Sequence, residues 1–208
     1  MKKLILPLLL LVAIGMLAAV ESDPSAVVGY IKYPCITGLN FIGEPLNDSY
    51  ATTTELGTDY PTITSIQKWT GTSWLAVTYD PDWGWDDEFA LDNLSVLFVY
   101  STAATNVYTL GPVPDPLPQF SFTPGLNTMY VPLNKSALTN TELLATDIAD
   151  VTSIQKWTGT SWLAVTYDPD WGWDDVFDVT IGMPLFIYKT AAGTYPSGAK
   201  ALIMSNSK

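Results

Sequence analysis

Twenty-four consecutive residues, TSIQKWTGTSWLAVTYDPDWGWDD, occur at 64–87 and again, without a substitution, at 152–175. Self-similarity at a fixed spacing is the signature of a repeated structural unit, so the whole fold has to be one unit built twice. The match continues upstream, where GLNFIGEPLNDSYATTTEL from Gly38 aligns with GLNTMYVPLNKSALTNTEL from Gly125. Downstream, LFVYSTAA from Leu97 aligns with LFIYKTAA from Leu185. The offset is 87 upstream and 88 downstream, which places a one-residue insertion between Leu56 and Thr64.

Between the copies lies GPVPDPLP, 111–118, whose prolines favour extended, semi-rigid backbone and mark a linker. Unit one is therefore expected at 28–110 and unit two at 119–208. Within a unit the signals are mostly β. YIKYPCI and LNFIGEPL are rich in β-branched and aromatic residues, and ITSIQKWT and SWLAVTY flank TGTS as a hairpin. VLFVY and LFIY are unbroken apolar runs, as in a strand covered on both faces. TNTELLATDIAD reads as a short helix capped by Asn140, with Leu143, Leu144 and Ile148 on one face; Gly57 and Pro61 weaken its counterpart in unit one. The expected fold class is all-β with one short helix per unit: two tandem small β-sandwich or partly open barrel domains of six or seven strands each. No alternation of helices with strands supports a doubly wound α/β fold.

The chain opens MKKLILPLLLLVAIGMLAAVES: two lysines, an apolar stretch, then Ala18 and Ala19. That is the layout of a secretory signal peptide, expected to cover residues 1–19 and to leave a secreted or cell-surface protein. A retained anchor is the rival reading, and it is the one way in which this chain would meet a membrane. With nine lysines, no arginine, no histidine and 21 acids, the formal net charge is −12. Such a surface repels phosphate backbones, which argues against nucleic acid as a partner. Cys35 is the single cysteine, so no disulfide forms within the chain, and it reads as a small buried apolar residue.

The lack of imidazole removes the usual bases for serine or cysteine nucleophiles and the usual zinc ligands. What remains is YDPDWGWDD, present twice. Its carboxylates are Asp80, Asp82, Asp86 and Asp87, matched by Asp168, Asp170, Asp174 and Asp175; its tryptophans are Trp83 and Trp85, matched by Trp171 and Trp173. Three readings apply. The aspartates and turn carbonyls could hold calcium, although the spacing is not that of an EF-hand loop. The tryptophans could stack on a sugar ring while carboxylates accept hydroxyl hydrogen bonds. Alternatively, Asp-Pro and Trp-Gly make turns, the tryptophans plug the core and the aspartates keep the loop solvated; Trp69, Trp74, Trp157 and Trp162 are then core or cross-strand residues. Two carboxylates could also serve glycoside hydrolysis, but duplication of an active site in units this small argues for a protein that is not an enzyme.

The series GLNFIGEPLN, SIQKWTGTSW, an acidic stretch and VLFVYSTAA resembles a small β-rich repeat of bacterial secreted and cell-surface proteins. The resemblance runs through Gly38, Asn40, Pro45, Trp69 and Trp74, and again through Gly125, Asn127, Pro132, Trp157 and Trp162. It implies export and a β fold and transfers no catalytic residue. Unit one departs from it in DNLSVLFVY, which lacks the glycine that unit two keeps as Gly182. The expected function is an exported, non-enzymatic structural or adhesive protein. It is expected to associate with itself, as a homo-oligomer or polymer, or with the cell envelope, with pairing at exposed strand edges as the route. The alternative is a tandem carbohydrate-binding module that takes extracellular polysaccharide on its Trp/Asp loops with calcium assistance, two weak sites gaining by avidity.

Overall fold

Period-2 burial and tight turns build each unit from the same parts. The computed structural model describes residues 28–47 and 49–196, so the expected signal peptide lies outside the described residues. Unit one runs β1 (Val28–Cys35), β2 (Gly38–Gly43), α1 (Thr53–Asp59), β3 (Ile63–Trp69), β4 (Trp74–Asp80), β5 (Gly84–Trp85), β6 (Val96–Ser101) and β7 (Thr105–Pro112). Unit two repeats the order as β8 (Phe120–Phe122), β9 (Gly125–Tyr130), α2 (Thr141–Ile148), β10 (Val151–Trp157), β11 (Trp162–Asp168), β12 (Gly172–Trp173), β13 (Pro184–Lys189) and β14 (Gly193–Tyr195). Each has an antiparallel five-stranded sheet, ordered β2-β6-β3-β4-β5 and β12-β11-β10-β13-β9, and a two-stranded ribbon, β1-β7 or β14-β8. The architecture is thus two similar β units, sandwich-like and not closed into barrels. β7 continues through Pro112, so the first two residues of the expected linker belong to unit one's ribbon.

One face of each sheet makes that unit's core. In unit one, Ile42, Ile66, Val77, Leu97 and Val99 point inward and are covered by Leu56 of α1 and by Tyr33, Cys35 and Val107 of the ribbon. In unit two, Met129, Ile154, Val165, Leu185 and Ile187 meet Leu144 and Ile148 of α2 and Phe120, Phe122 and Tyr195 of the ribbon. Cys35 is buried and free, and burial pushes its thiol up to about 11. It is therefore an inert packing residue.

The helices start where capping chemistry puts them. Asn140 caps α2 by accepting from the Leu143 N–H, and Thr52 caps α1 by accepting from the Glu55 N–H. Glu55 reaches back to the Ala51 N–H, so unit one has a close relative of the capping box. On α2, Leu144 and Ile148 are buried, but Leu143 is exposed, contrary to its expected place on the core face. The two caps are 88 apart, as are Thr53 and Thr141, whose hydroxyls accept from the Phe89 and Phe177 N–H groups. Glu44 and Val131 are still 87 apart in equivalent bonds, to Ser95 O and Met183 O. The inserted residue therefore lies between Glu44 and Thr52, before the helix and not after it, although the letters of TTTEL match TNTEL better in the 87-residue frame.

α1 forms despite Gly57 because the glycine has a packing reason. A Cβ there would lie 2.0 Å from Cζ2 of Trp85, so the indole rests directly on the helix backbone. We expect Gly57→Ala to cost about 1–3 kcal/mol by overpacking, against the helix-propensity gain an open site would give. Urea unfolding of the two proteins measures it. The turn before β6 resolves the departure at Gly182 in a similar way. Gly182, with φ of 76°, closes the turn whose Met183 N–H bonds to Thr180 O. Unit one closes its turn with the same bond, Ser95 N–H to Asp92 O, but Leu94 stands at the glycine's place without a positive φ, and Asp92 Oδ1 holds the turn by accepting from Leu94 N–H and the Ser95 hydroxyl.

The second face of each sheet covers the other unit. Phe41 stacks on Phe98 at 4.3 Å and on Phe186 of unit two at 5.3 Å. Trp74 and Trp162 close over both rings: Trp74 lies 5.8 Å from Phe98 and 6.2 Å from Phe186, while Trp162 lies 5.8 Å from Phe98 and 5.4 Å from Phe186. The Trp69 indole N–H donates to Leu126 O at 3.0 Å, and Trp157 donates to Leu39 O at 2.7 Å. These contacts are reciprocal, as in a two-fold interface made within one chain. Of the two expected places, core or cross-strand, Trp69 and Trp74 take the second, as do Trp157 and Trp162, and these cross-strand pairs face the seam.

Candidate functional site

The end of the duplicated block forms a second, smaller hairpin in each unit. Its tip, DPDWG, turns where Pro81 sets φ and Gly84 takes a φ of 83°, with Pro169 and Gly172 (φ of 81°) matching it. Asp80 Oδ1 accepts from the Asp82 N–H at 2.8 Å and the Trp83 N–H at 3.3 Å; Asp168 does the same for Asp170 and Trp171 at 2.8 and 3.2 Å. Asp86 Oδ1 accepts from the Thr78 N–H at 2.7 Å, and Asp174 from Thr166 at 2.7 Å. Asp87 and Asp175 accept from the next residue's N–H at 2.8 and 2.7 Å. Six of the eight expected site aspartates are thus bound up in shaping their own loop. Asp82 and Asp170 are exposed, and their side chains make no hydrogen bond among the described residues.

The four tryptophans of the segment divide into two pairs. Trp85 and Trp173 are half-buried and pair across the strands with Tyr79 and Tyr167, ring centroids 5.6 Å apart in both units. They are packing residues. Trp83 and Trp171 stand at the tips, each 89 % exposed. An indole carries the largest apolar surface of any side chain and is ordinarily well covered, so two that are held bare by a built turn are an exception requiring a cause. Around each, the backbone is fixed by the same short bonds, so the two tips are copies in geometry as well as in sequence.

The structure therefore places, at each tip, one exposed indole beside one uncommitted carboxylate, Asp82 or Asp170. It does not gather the aspartates. Among the described residues no three acidic side chains converge on a point where a metal ion could sit. The arrangement suits contact with a surface or a ring, made by stacking and by carboxylate hydrogen bonds.

One charged residue escaped the sequence reading altogether. Glu44 is 2 % exposed, at the end of β2, and neither carboxylate oxygen has a hydrogen-bond partner among the described residues. Burial pushes its carboxyl up to about 8, against the opposing effect of the Ser49 hydroxyl, which accepts from the Leu110 N–H and keeps its own O–H to donate. Its counterpart in unit two is Val131, and that exchange of an acid for an aliphatic residue was the available signal. In comparisons with known families, curated proteins and solved structures, nothing matches this chain.

Proposed function

We propose that the chain is an exported, non-enzymatic adhesive protein of the cell surface, which attaches to its partner surface through two identical tryptophan-tipped loops. The observation that carries this reading is the 89 % exposure of Trp83 and Trp171 on turns that six aspartates hold in one shape. A bare indole is a liability in a free monomer and an anchor in a bound one, since its burial adds a large apolar contact at small cost in side-chain entropy. Two copies on one chain bind a repetitive surface with avidity, so each site can be weak while the whole is held. The uncommitted carboxylates of Asp82 and Asp170 beside the indoles favour a second reading, a tandem carbohydrate-binding module, in which the ring stacks on a sugar face.

Retention on envelope preparations and on insoluble polysaccharide separates the two. We expect Trp83→Ala or Trp171→Ala to weaken retention about 10- to 100-fold and the double variant to abolish it, because loss of one tip removes the avidity gain. Unchanged retention of the double variant on both materials would sink the proposal, and retention on polysaccharide alone selects the second reading.

A further inference from the structure

The seam between the units is symmetric through most of its residues and asymmetric at a few positions where the two copies differ. Trp69, Trp74 and Leu39 of unit one do what Trp157, Trp162 and Leu126 do in unit two. Gly43 and Tyr130 are equivalent positions at the ends of β2 and β9. They also touch each other: a Cβ on Gly43 would lie 3.3 Å from Cβ of Tyr130. Equivalent residues meet only close to the symmetry axis of such an interface. There the chain pairs the smallest residue with a large one. A second such difference is Phe41, which fills the centre of the aromatic stack, against Thr128.

The consequence is a rule about partners. Two copies of unit two would set tyrosine against tyrosine on the axis, and two copies of unit one would leave a hole there. Only unit one against unit two gives one large and one small residue. Two further hydrogen bonds obey the same rule. The Tyr33 hydroxyl donates to Gly182 O at 2.8 Å, and the Tyr130 hydroxyl donates to Asn93 O. Their equivalents, Phe120 and Gly43, have no hydroxyl.

We infer that this seam is a keyed interaction surface whose partner is the complementary unit of a second copy of this chain as well as of its own. The two units are joined only through the stretch from Val113 to Gln119, between β7 and β8, so they can separate without unfolding either sheet. Closure within a chain enjoys an effective concentration in the millimolar range. Exchange between chains therefore competes where the protein is crowded to similar levels, and the same key then directs unit one of each copy onto unit two of the other.

Two full-length variants test this. Tyr33→Phe with Gly43→Tyr gives unit one the large residue, so that this chain has two large residues on its axis; Tyr130→Gly gives the other chain two small ones. Neither closes well on itself. Refolded together, they can form a two-chain complex in which every axis again pairs large with small. We expect each variant alone to run at the mass of one chain and the equimolar mixture to run at the mass of two by light scattering. A mixture that stays at the mass of one chain, or a variant that pairs with itself, would overturn the inference. The wild-type chain gives an independent reading if a variant fails to fold. Refolded at about 1 mM it is expected to yield a two-chain species that is absent at about 10 μM, and its absence at both would count equally against exchange.

Discussion

Replacing Glu44 by glutamine is expected to stabilise the protein by about 5 kcal/mol at pH 9 while changing little at pH 4. The carboxyl is buried without a hydrogen-bonded partner, and burial raises it to about 8 in the folded state from an ordinary value of 4.5. Each unit of difference is worth about 1.4 kcal/mol, which sets the size of the effect. The sign follows from proton counts. Between the two values the folded chain holds a proton that the unfolded chain has lost, so stability falls as pH rises. Below 4.5 both states are protonated and Glu44 costs nothing beyond its unpaired polar atoms. Above about 8 both are ionised and the full penalty is present. The neighbouring tyrosines do not relieve it: Tyr33 of β1 is raised by burial and then by the charge of Glu44, Tyr130 of β9 by burial, then Asp92, then Glu44, and Tyr50 by burial and Tyr60, with Asp59 and Glu44 after them. Denaturant unfolding of wild type and Glu44→Gln at pH 4, 6, 8 and 9 isolates this one group from the other carboxylates. Parallel pH profiles would show that Glu44 is not a buried acid in solution.

How much of this was legible in the chain depends on what each residue's partners were. The duplication, the TGTS hairpin, the Asn140 cap and the strand at 185–188 all follow from local chemistry or period, and they stand where the sequence puts them. VLFVY and LFIY announced cover on both faces because all but their last residues are aliphatic or phenylalanine; Tyr100 and Tyr188, at the ends, are exposed. The two runs could not say what the second cover was, since residues such as Phe98 and Phe186 look alike whether they face a core or another unit. The same limit left Trp69 and Trp157 open between core and cross-strand places: they are cross-strand partners, and such a pair is consistent with either face of a hairpin. At the acidic tips, composition showed which residues were special but not how they divide. Asp80, Asp86 and Asp87 resemble Asp82 as letters, and only the backbone N–H groups that a particular turn aims at them reveal which are already occupied. Glu44 was legible only by comparison of the copies, where Val131 replaces it, since a lone acid in an acidic chain is unremarkable until its burial is seen.

Trp157→Ala and Trp69→Ala are each expected to cost about 2–4 kcal/mol, the range for truncating a large, partly buried aromatic side chain, and together to cost less than their sum. Each indole does two things at once. Its ring packs against the cross-strand partner, 5.2 Å from Trp162 or Trp74, and so supports the aromatic seam. Its N–H caps a carbonyl, Leu39 O or Leu126 O, on the strand that ends the other unit's sheet. Those strands, β2 and β9, would otherwise present unpaired backbone groups, the feature through which sheets from different chains join. One carbonyl on each of these edge strands is thus held by the other unit. Trp157→Phe keeps most of the ring and removes the donor, so it is expected to cost only about 1 kcal/mol in stability and to uncover the edge selectively. The two alanine variants couple because either one opens the same seam, after which the second has less left to lose. A double-mutant cycle by urea unfolding gives the coupling, and light scattering of Trp157→Phe below its unfolding midpoint reads the edge. Strict additivity would mean that the two tryptophans serve separate units, as the hairpin pattern alone implies, and that the reciprocal bonds across the seam do not hold the units together.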